Sequence, residues 1–70
     1  MRSQVLGIDI GSVALSLALL DAQGVVLHSS YRFHRGQIRE TLRAMLSQTD
    51  CRRVGAVAAT MSGPDIFHRV

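Results

Sequence analysis

Two apolar runs meet at a Gly-Ser dipeptide near the start of this chain, and that junction limits the fold more than any other feature. Gln4 to Ile10 is short and apolar, with Asp9 near its end, and reads as a strand. In the second run, Val13 to Asp21, the residues Val13, Leu15, Leu17 and Leu19 share one face. Ala14, Ser16, Ala18 and Leu20 share the other. A large face and a small face predict a strand covered on both sides. Gly11-Ser12, with glycine first, suits a two-residue hairpin turn between the runs.

A second turn signal follows at Asp21-Ala22-Gln23-Gly24, where Gly24 is free to take a positive φ in a three-residue hairpin loop. Asp21 belongs to the turn itself. Beyond it Val25, Leu27, Ser29, Tyr31 and Phe33 alternate with Val26, His28, Ser30, Arg32 and His34. The first set is largely apolar and the second largely polar, so a half-exposed third strand is expected, with His28 and His34 as exposed polar positions. Six residues apart on a strand, these two histidines stand about 20 Å from each other and cannot share a metal.

The period changes at Arg35-Gly36. Ile38, Leu42, Met45 and Leu46 fall at helical spacing, and the helix is expected over Gly36 to Gln48. Arg35, Arg39 and Arg43 form another stripe, read as a solvated face. Thr49 to Arg52 is a turn. Val54 to Thr60 is small and apolar, and reads as a buried strand parallel to the first. Ser62-Gly63-Pro64-Asp65 carries a helix-start signal, with proline just inside it.

Composition narrows the function classes. Seventy residues make one domain at most, and a chain this short buries only about 60% of its unfolded surface. Cys51 is the only cysteine, which excludes an intrachain disulfide and a zinc or iron–sulfur ligand set; it reads as a small or semi-buried loop residue. The net charge of +3 comes from eight arginines and no lysine, spread from Arg2 to Arg69, a balance that favours an anionic partner only weakly. Tyr31, Phe33 and Phe67 are the only aromatics, too few for a base-stacking platform, so nucleic acid is not expected as a partner. Asp9 interrupts the apolar start, which excludes a signal peptide. Val13 to Leu20 is far shorter than a membrane span. A soluble, cytoplasmic chain is expected.

Any chemistry lies at Asp9-Ile10-Gly11-Ser12. A tight glycine turn leaves successive backbone N–H groups facing one concavity, a ready anion site. Gly11 lets a phosphate approach the backbone, and Ser12 adds a hydroxyl donor. Asp9, at the strand end, is placed to hold Mg²⁺ through water against those phosphates. No Gly-x-Ser-x-Gly elbow is present, so a hydrolase triad is not expected.

The segment VLGIDIGSVALSLALLDAQG resembles the first phosphate-binding hairpin of the actin, sugar-kinase and heat-shock-chaperone ATPase superfamily. Within it, the similarity points to the 2-hydroxyacyl-CoA dehydratase activators, also called CoA-substrate-specific enzyme activases or benzoyl-CoA reductase ATPases. It continues through YRFHRGQIRETLRAML and RRVGAVAATMSG, and so covers roughly residues 4 to 63. The resemblance implies a ribonuclease-H-like α/β lobe, with element order β-β-β-α-β and a helix start. Three strands would be antiparallel and one parallel, the whole forming a single partial ATPase-type domain over residues 1–70. It implies Asp9 as the Mg²⁺-associated acid, Gly11 and Ser12 as phosphate contacts, and Gly63 in a second glycine turn. The implied cofactors are ATP and Mg²⁺, with an iron–sulfur cluster only in a longer chain. The implied partner is a CoA-ester dehydratase or reductase. Two departures stand out: Val13, Ala14, Leu15 and Ser16 replace the usual hydroxyl residues and lysine, and Thr60-Met61-Ser62-Gly63 matches the second turn only in part. A sugar- or acetate-type kinase fragment would share the hairpin. A non-catalytic interaction module, self-associating as a homodimer through an open sheet edge, is the third reading.

Overall fold

The computed structural model describes residues 3–61. Its elements are β1 (Gln4–Ile10), β2 (Ala14–Leu20), β3 (Val26–Phe33), α1 (Ile38–Ser47) and β4 (Val54–Met61). The chain is thus α/β, with one helix against a four-stranded mixed sheet of order β3-β2-β1-β4. β1 pairs antiparallel with β2 and β2 with β3, while β4 joins the free side of β1 in parallel. The helix start expected at Ser62 to Asp65 lies outside the described residues. Among the described residues, no helix is long and apolar enough to cross a membrane.

Register sorts the side chains into two unlike faces. Leu6, Ile8 and Ile10 stand opposite Leu19, Leu17 and Leu15. That leucine-rich face is the one α1 covers. Met45, 1% exposed, packs into the cluster of Leu6, Ile10, Leu15, Leu17 and Leu19, with Ile38, Leu42 and Leu46 around it. The helix ends where Thr49 turns back on it, its hydroxyl donating to the Met45 carbonyl at 2.9 Å and its N–H to the Leu46 carbonyl at 3.1 Å. The next turn carries an Asp50–Arg52 pair. Hydrogen bonds from the Arg52 side chain hold the Asp50 carboxyl well below the usual carboxylate range. Both partners are exposed, so the pair contributes little to stability.

Several expectations need correction. β2 is covered on one side only: its small face, with Ser16, Ala18 and Leu20 half-buried, carries no layer among the described residues. β3 is turned over relative to its apparent polarity. Its polar set lies on the helix side, where Arg32 Nη2 donates to Gln48 Oε1 at 3.0 Å and the buried Ser30 hydroxyl has no partner among the described residues. Its apolar set faces outward, with Tyr31 and Phe33 more than 60% exposed and meeting edge to face at 5.8 Å. The cause is parity. β2 commits its large leucines to the helix, and pairing then places Leu15 beside Arg32 and Leu17 beside Ser30 on the same side. β4 is parallel to β1 as expected but is an exposed edge, not a buried strand, because α1 lies over β2 and β3. Cys51 is an exposed loop residue. The helix begins at Ile38 rather than Gly36, which leaves Arg35 off its arginine stripe.

The Asp21 loop forms as its sequence predicts. Asp21 Oδ1 accepts the N–H groups of Gln23 and Val25, each at 2.9 Å, and Gly24 takes φ +84°. A bulge follows, since Leu19 pairs with His28 but Leu20 with Val26.

Two outcomes test this architecture by urea unfolding. Leu17→Ala, which empties a site only 2% exposed, should cost about 2–5 kcal/mol, a large share of what so small a domain has, whereas Val57→Ala on the exposed strand should stay within about 0.5 kcal/mol. Gly24→Ala should cost about 1–2 kcal/mol from the dihedral alone, because an added Cβ there meets nothing within 4 Å.

Candidate functional site

β1, β3 and β4 run in the same direction, so their carboxyl ends gather at one edge of the sheet together with the start of β2. In open α/β sheets this edge is where ligands bind. The residues expected to carry chemistry are there. Asp9 stands between Ser16 of β2 and Thr60 of β4, and the Thr60 hydroxyl donates to Asp9 Oδ1 at 2.8 Å. Asp9 is exposed on the uncovered face, in an open depression of about 660 Å³ floored by small residues such as Gly7, Ala18, Ser29 and Ala58. Thr60 was not among the expected site residues. Its signal is topological: only the parallel docking of β4 on β1 brings it beside Asp9.

The hairpin tip sits one residue further along than the glycine suggests. Gly11 faces Ala14, to whose carbonyl its N–H donates at 2.9 Å, and Ser12-Val13 span the gap. A two-residue loop centred on Gly11-Ser12 would need Gly11 at positive φ. Among the described residues the positive φ values fall instead at Gly24, Arg35 and Gly36. Gly11 therefore uses its own N–H within the hairpin. The N–H groups of Ser12 and Val13 and the Ser12 hydroxyl have no acceptor or donor partner among the described residues.

His34 explains where the tip sits. It is 4% exposed, not an exposed polar position. Its backbone N–H donates to the Val13 carbonyl at 3.0 Å. Its Nδ1 accepts the Gly36 N–H at 3.0 Å, which leaves Nε2 to carry the proton and donate to the Gly11 carbonyl at 2.9 Å. One buried neutral imidazole thus ties the β1–β2 tip to the turn before α1. No alternation pattern signals such a role, because His34 lies just past the end of β3, on the side its polar set turns toward the helix.

The turn it ties is strained. The Gln37 N–H donates to the His34 carbonyl at 2.7 Å across Arg35-Gly36, and both central residues are left-handed, Arg35 at φ 52° and Gly36 at φ 80°. For glycine this is free; for arginine it costs about 1–2 kcal/mol. A second depression of about 430 Å³ opens here, lined by Ser12, Val13, Phe33, His34, Arg35 and Gly36.

Asp9, Gly11 and Ser12 are thus neighbours at one sheet edge, but Asp9 lines the open face while Ser12 lines the cleft beside the Arg35 turn. Gly63 lies outside the described residues. The donor set suits Mg²⁺ in one respect: a single carboxylate, one oxygen held by Thr60 and the other without a partner among the described residues, is the arrangement of a cation bound mainly through phosphates and water. Among the described residues no group of three or more His, Cys, Asp or Glu side chains forms a preassembled metal cluster. One thiol, Cys51, does not fit an iron–sulfur ligand set.

His34→Ala should lower stability by about 2–4 kcal/mol in chemical denaturation, since it removes a buried ring and leaves the Gly11 carbonyl and Gly36 N–H without partners. Arg35→Gly should raise the melting temperature by relieving the left-handed arginine.

Compared with known proteins, the chain matches no family model, no curated protein and no solved structure.

Proposed function

We propose that this chain is the N-terminal portion of an ATP-binding activator of a CoA-ester dehydratase or reductase, contributing the first phosphate-binding hairpin of a ribonuclease-H-like lobe. One observation carries the reading. The β1–β2 tip presents two consecutive backbone N–H groups, at Ser12 and Val13, without acceptors among the described residues, two residues past the end of the strand that carries Asp9. Such paired amides form a concavity suited to a phosphate oxygen. The mixed sheet of order β3-β2-β1-β4, with the helix between β3 and β4, is compatible with the opening of that lobe.

In this reading the Ser12 and Val13 amides and the Ser12 hydroxyl bind phosphate oxygens. Asp9 holds Mg²⁺ through water, and Thr60 keeps one Asp9 oxygen fixed. Bound Mg²⁺ would supply neutralisation of the phosphate charge. The electron-transfer machinery, the adenosine pocket and contacts to the CoA-ester enzyme would come from other parts of a longer protein in the cytoplasm. A sugar- or acetate-type kinase would use the same hairpin in the same way.

A second reading, the non-catalytic interaction module, draws support from β4. This edge strand, Val54–Met61, is exposed along nearly all its length and carries no charge and no proline to discourage pairing.

Titration of the ¹⁵N-labelled chain with MgATP separates these readings. The phosphate-hairpin reading expects Mg²⁺-dependent amide shifts concentrated over Asp9 to Val13, and Asp9→Asn should abolish their Mg²⁺ dependence. Turnover by the 70-residue chain should be negligible, because catalysis in this superfamily needs two lobes around the phosphates. Concentration-dependent dimerisation with no nucleotide shifts would favour the interaction module instead.

A further inference from the structure

We propose that Arg35 is the charged partner of the hairpin's phosphate site, so that the cleft between the β1–β2 tip and the Arg35-Gly36 turn binds a phosphate dianion. The inference rests on the phosphate-hairpin reading and deepens it by naming the cation that the hairpin itself lacks. Val13 to Ser16 carries no basic residue, and there is no lysine anywhere in the chain. A phosphate held by two amides alone would keep most of its charge uncompensated.

Four independent features converge on this cleft. Ser12, Val13, Arg35 and Gly36 line it together with Phe33 and His34, with no acidic residue among the described ones. Among the described residues, the single salt bridge is Arg52 with Asp50, so no described carboxylate competes for the Arg35 guanidinium. The amides of Ser12 and Val13 and the Ser12 hydroxyl have no partner among the described residues. Finally, an arginine occupies a left-handed backbone position where glycine would sit without strain, and the neighbouring Gly36 shows that glycine is used in this very turn. Strain held at one residue of a cleft is the pattern of a position selected for its side chain.

His34 makes the two walls one site. Its ring bonds the Gly11 carbonyl on one side and the Gly36 N–H on the other, so the amides and the arginine keep their spacing before any ligand arrives. Guanidinium and paired backbone N–H groups are the donor types that bind phosphate through several charge-assisted hydrogen bonds at once. The ligand chemistry is a phosphate dianion, supplied either by free phosphate or by the terminal group of a nucleoside triphosphate.

Arg35→Gly tests the idea cleanly, because it should fold at least as well as the parent. The ¹⁵N-labelled parent chain is titrated in parallel with sodium phosphate in the absence of Mg²⁺ and with MgATP, and amide and Arg35 Nε–H shifts are followed. Shifts at Ser12, Val13, Arg35 and Gly36 in both titrations, with affinity at least about tenfold weaker in Arg35→Gly and partly restored in Arg35→Lys, support the proposal. Shifts in the MgATP arm alone assign the dianion to the nucleotide, and those in the phosphate arm alone to free phosphate. Equal affinity in the parent and Arg35→Gly overturns the role of Arg35 while leaving the hairpin reading intact. No shifts at the hairpin with either ligand at millimolar concentration overturn both.

Discussion

The leucines on one side of β2 govern this molecule. Leu15, Leu17 and Leu19 are nearly inaccessible, sandwiched between the strands beside them and the apolar stripe of α1. A chain this short has little apolar surface to bury, and most of it is committed here. Once the helix is fixed over that side, the orientation of every other strand follows from pairing. β1 sends Leu6, Ile8 and Ile10 into the same layer and Asp9 out of it. β3 is obliged to bring Arg32 and His34 to the helix side and to leave Tyr31 and Phe33 outside. Against so large an apolar commitment in the central strand, the preference of a few edge-strand residues for water is too small to reverse the register.

A buried histidine is one result of that parity. On the sequence's own evidence, the polar alternation of the third strand looks like a solvent face. In the folded chain the same residues lie on the helix side; His28 and Arg32 stay exposed there, while the buried His34 needs partners or bears a desolvation cost. Arg32 reaches the helix end through Gln48, and His34 uses both ring nitrogens on backbone groups of two different loops. These bonds account for the register of the first hairpin. A loop closed at Gly11-Ser12 and a loop closed at Ser12-Val13 keep the same faces in and out, so hydrophobic patterning is blind to the choice. The bonds from His34 to Gly11 and Val13 act on that choice directly, and they pin the second arrangement.

Which parts of the fold were legible follows from the same physics. Strand periodicity, the Asp21-Gly24 loop and the helix stripe are local, and all are present close to where the residues place them. The parallel docking of β4 was also legible, because a helix between strands needs a crossover connection. Exposure was not. Whether Val57 and Met61 are covered depends on where one helix comes to rest on a four-stranded sheet, and α1 rests over β2 and β3. Of the candidate site, Asp9 and Ser12 could be named from a strand followed by a turn. Thr60 and Arg35 could not, since the first arrives by parallel pairing across 51 residues and the second by a left-handed turn that arginine does not ordinarily adopt.

The gathering of these residues at one edge is a consequence of connectivity rather than of any attraction between them. Two hairpins in succession make β3 run with β1, and a helical crossover makes β4 run with both. Three carboxyl ends therefore open at the same rim, and each delivers one polar element: Asp9 from β1, the His34-Arg35 turn from β3, and Thr60 from β4. Among the described residues, Leu17 is the one core leucine that also lines a depression, so chemistry at the rim and stability beneath α1 are largely separable. His34 is the exception, since it is buried with the core and bonded to the rim. A change there would act on stability and on site geometry together, whereas a change at Arg35 alters the charge of the cleft while relaxing the backbone that carries it.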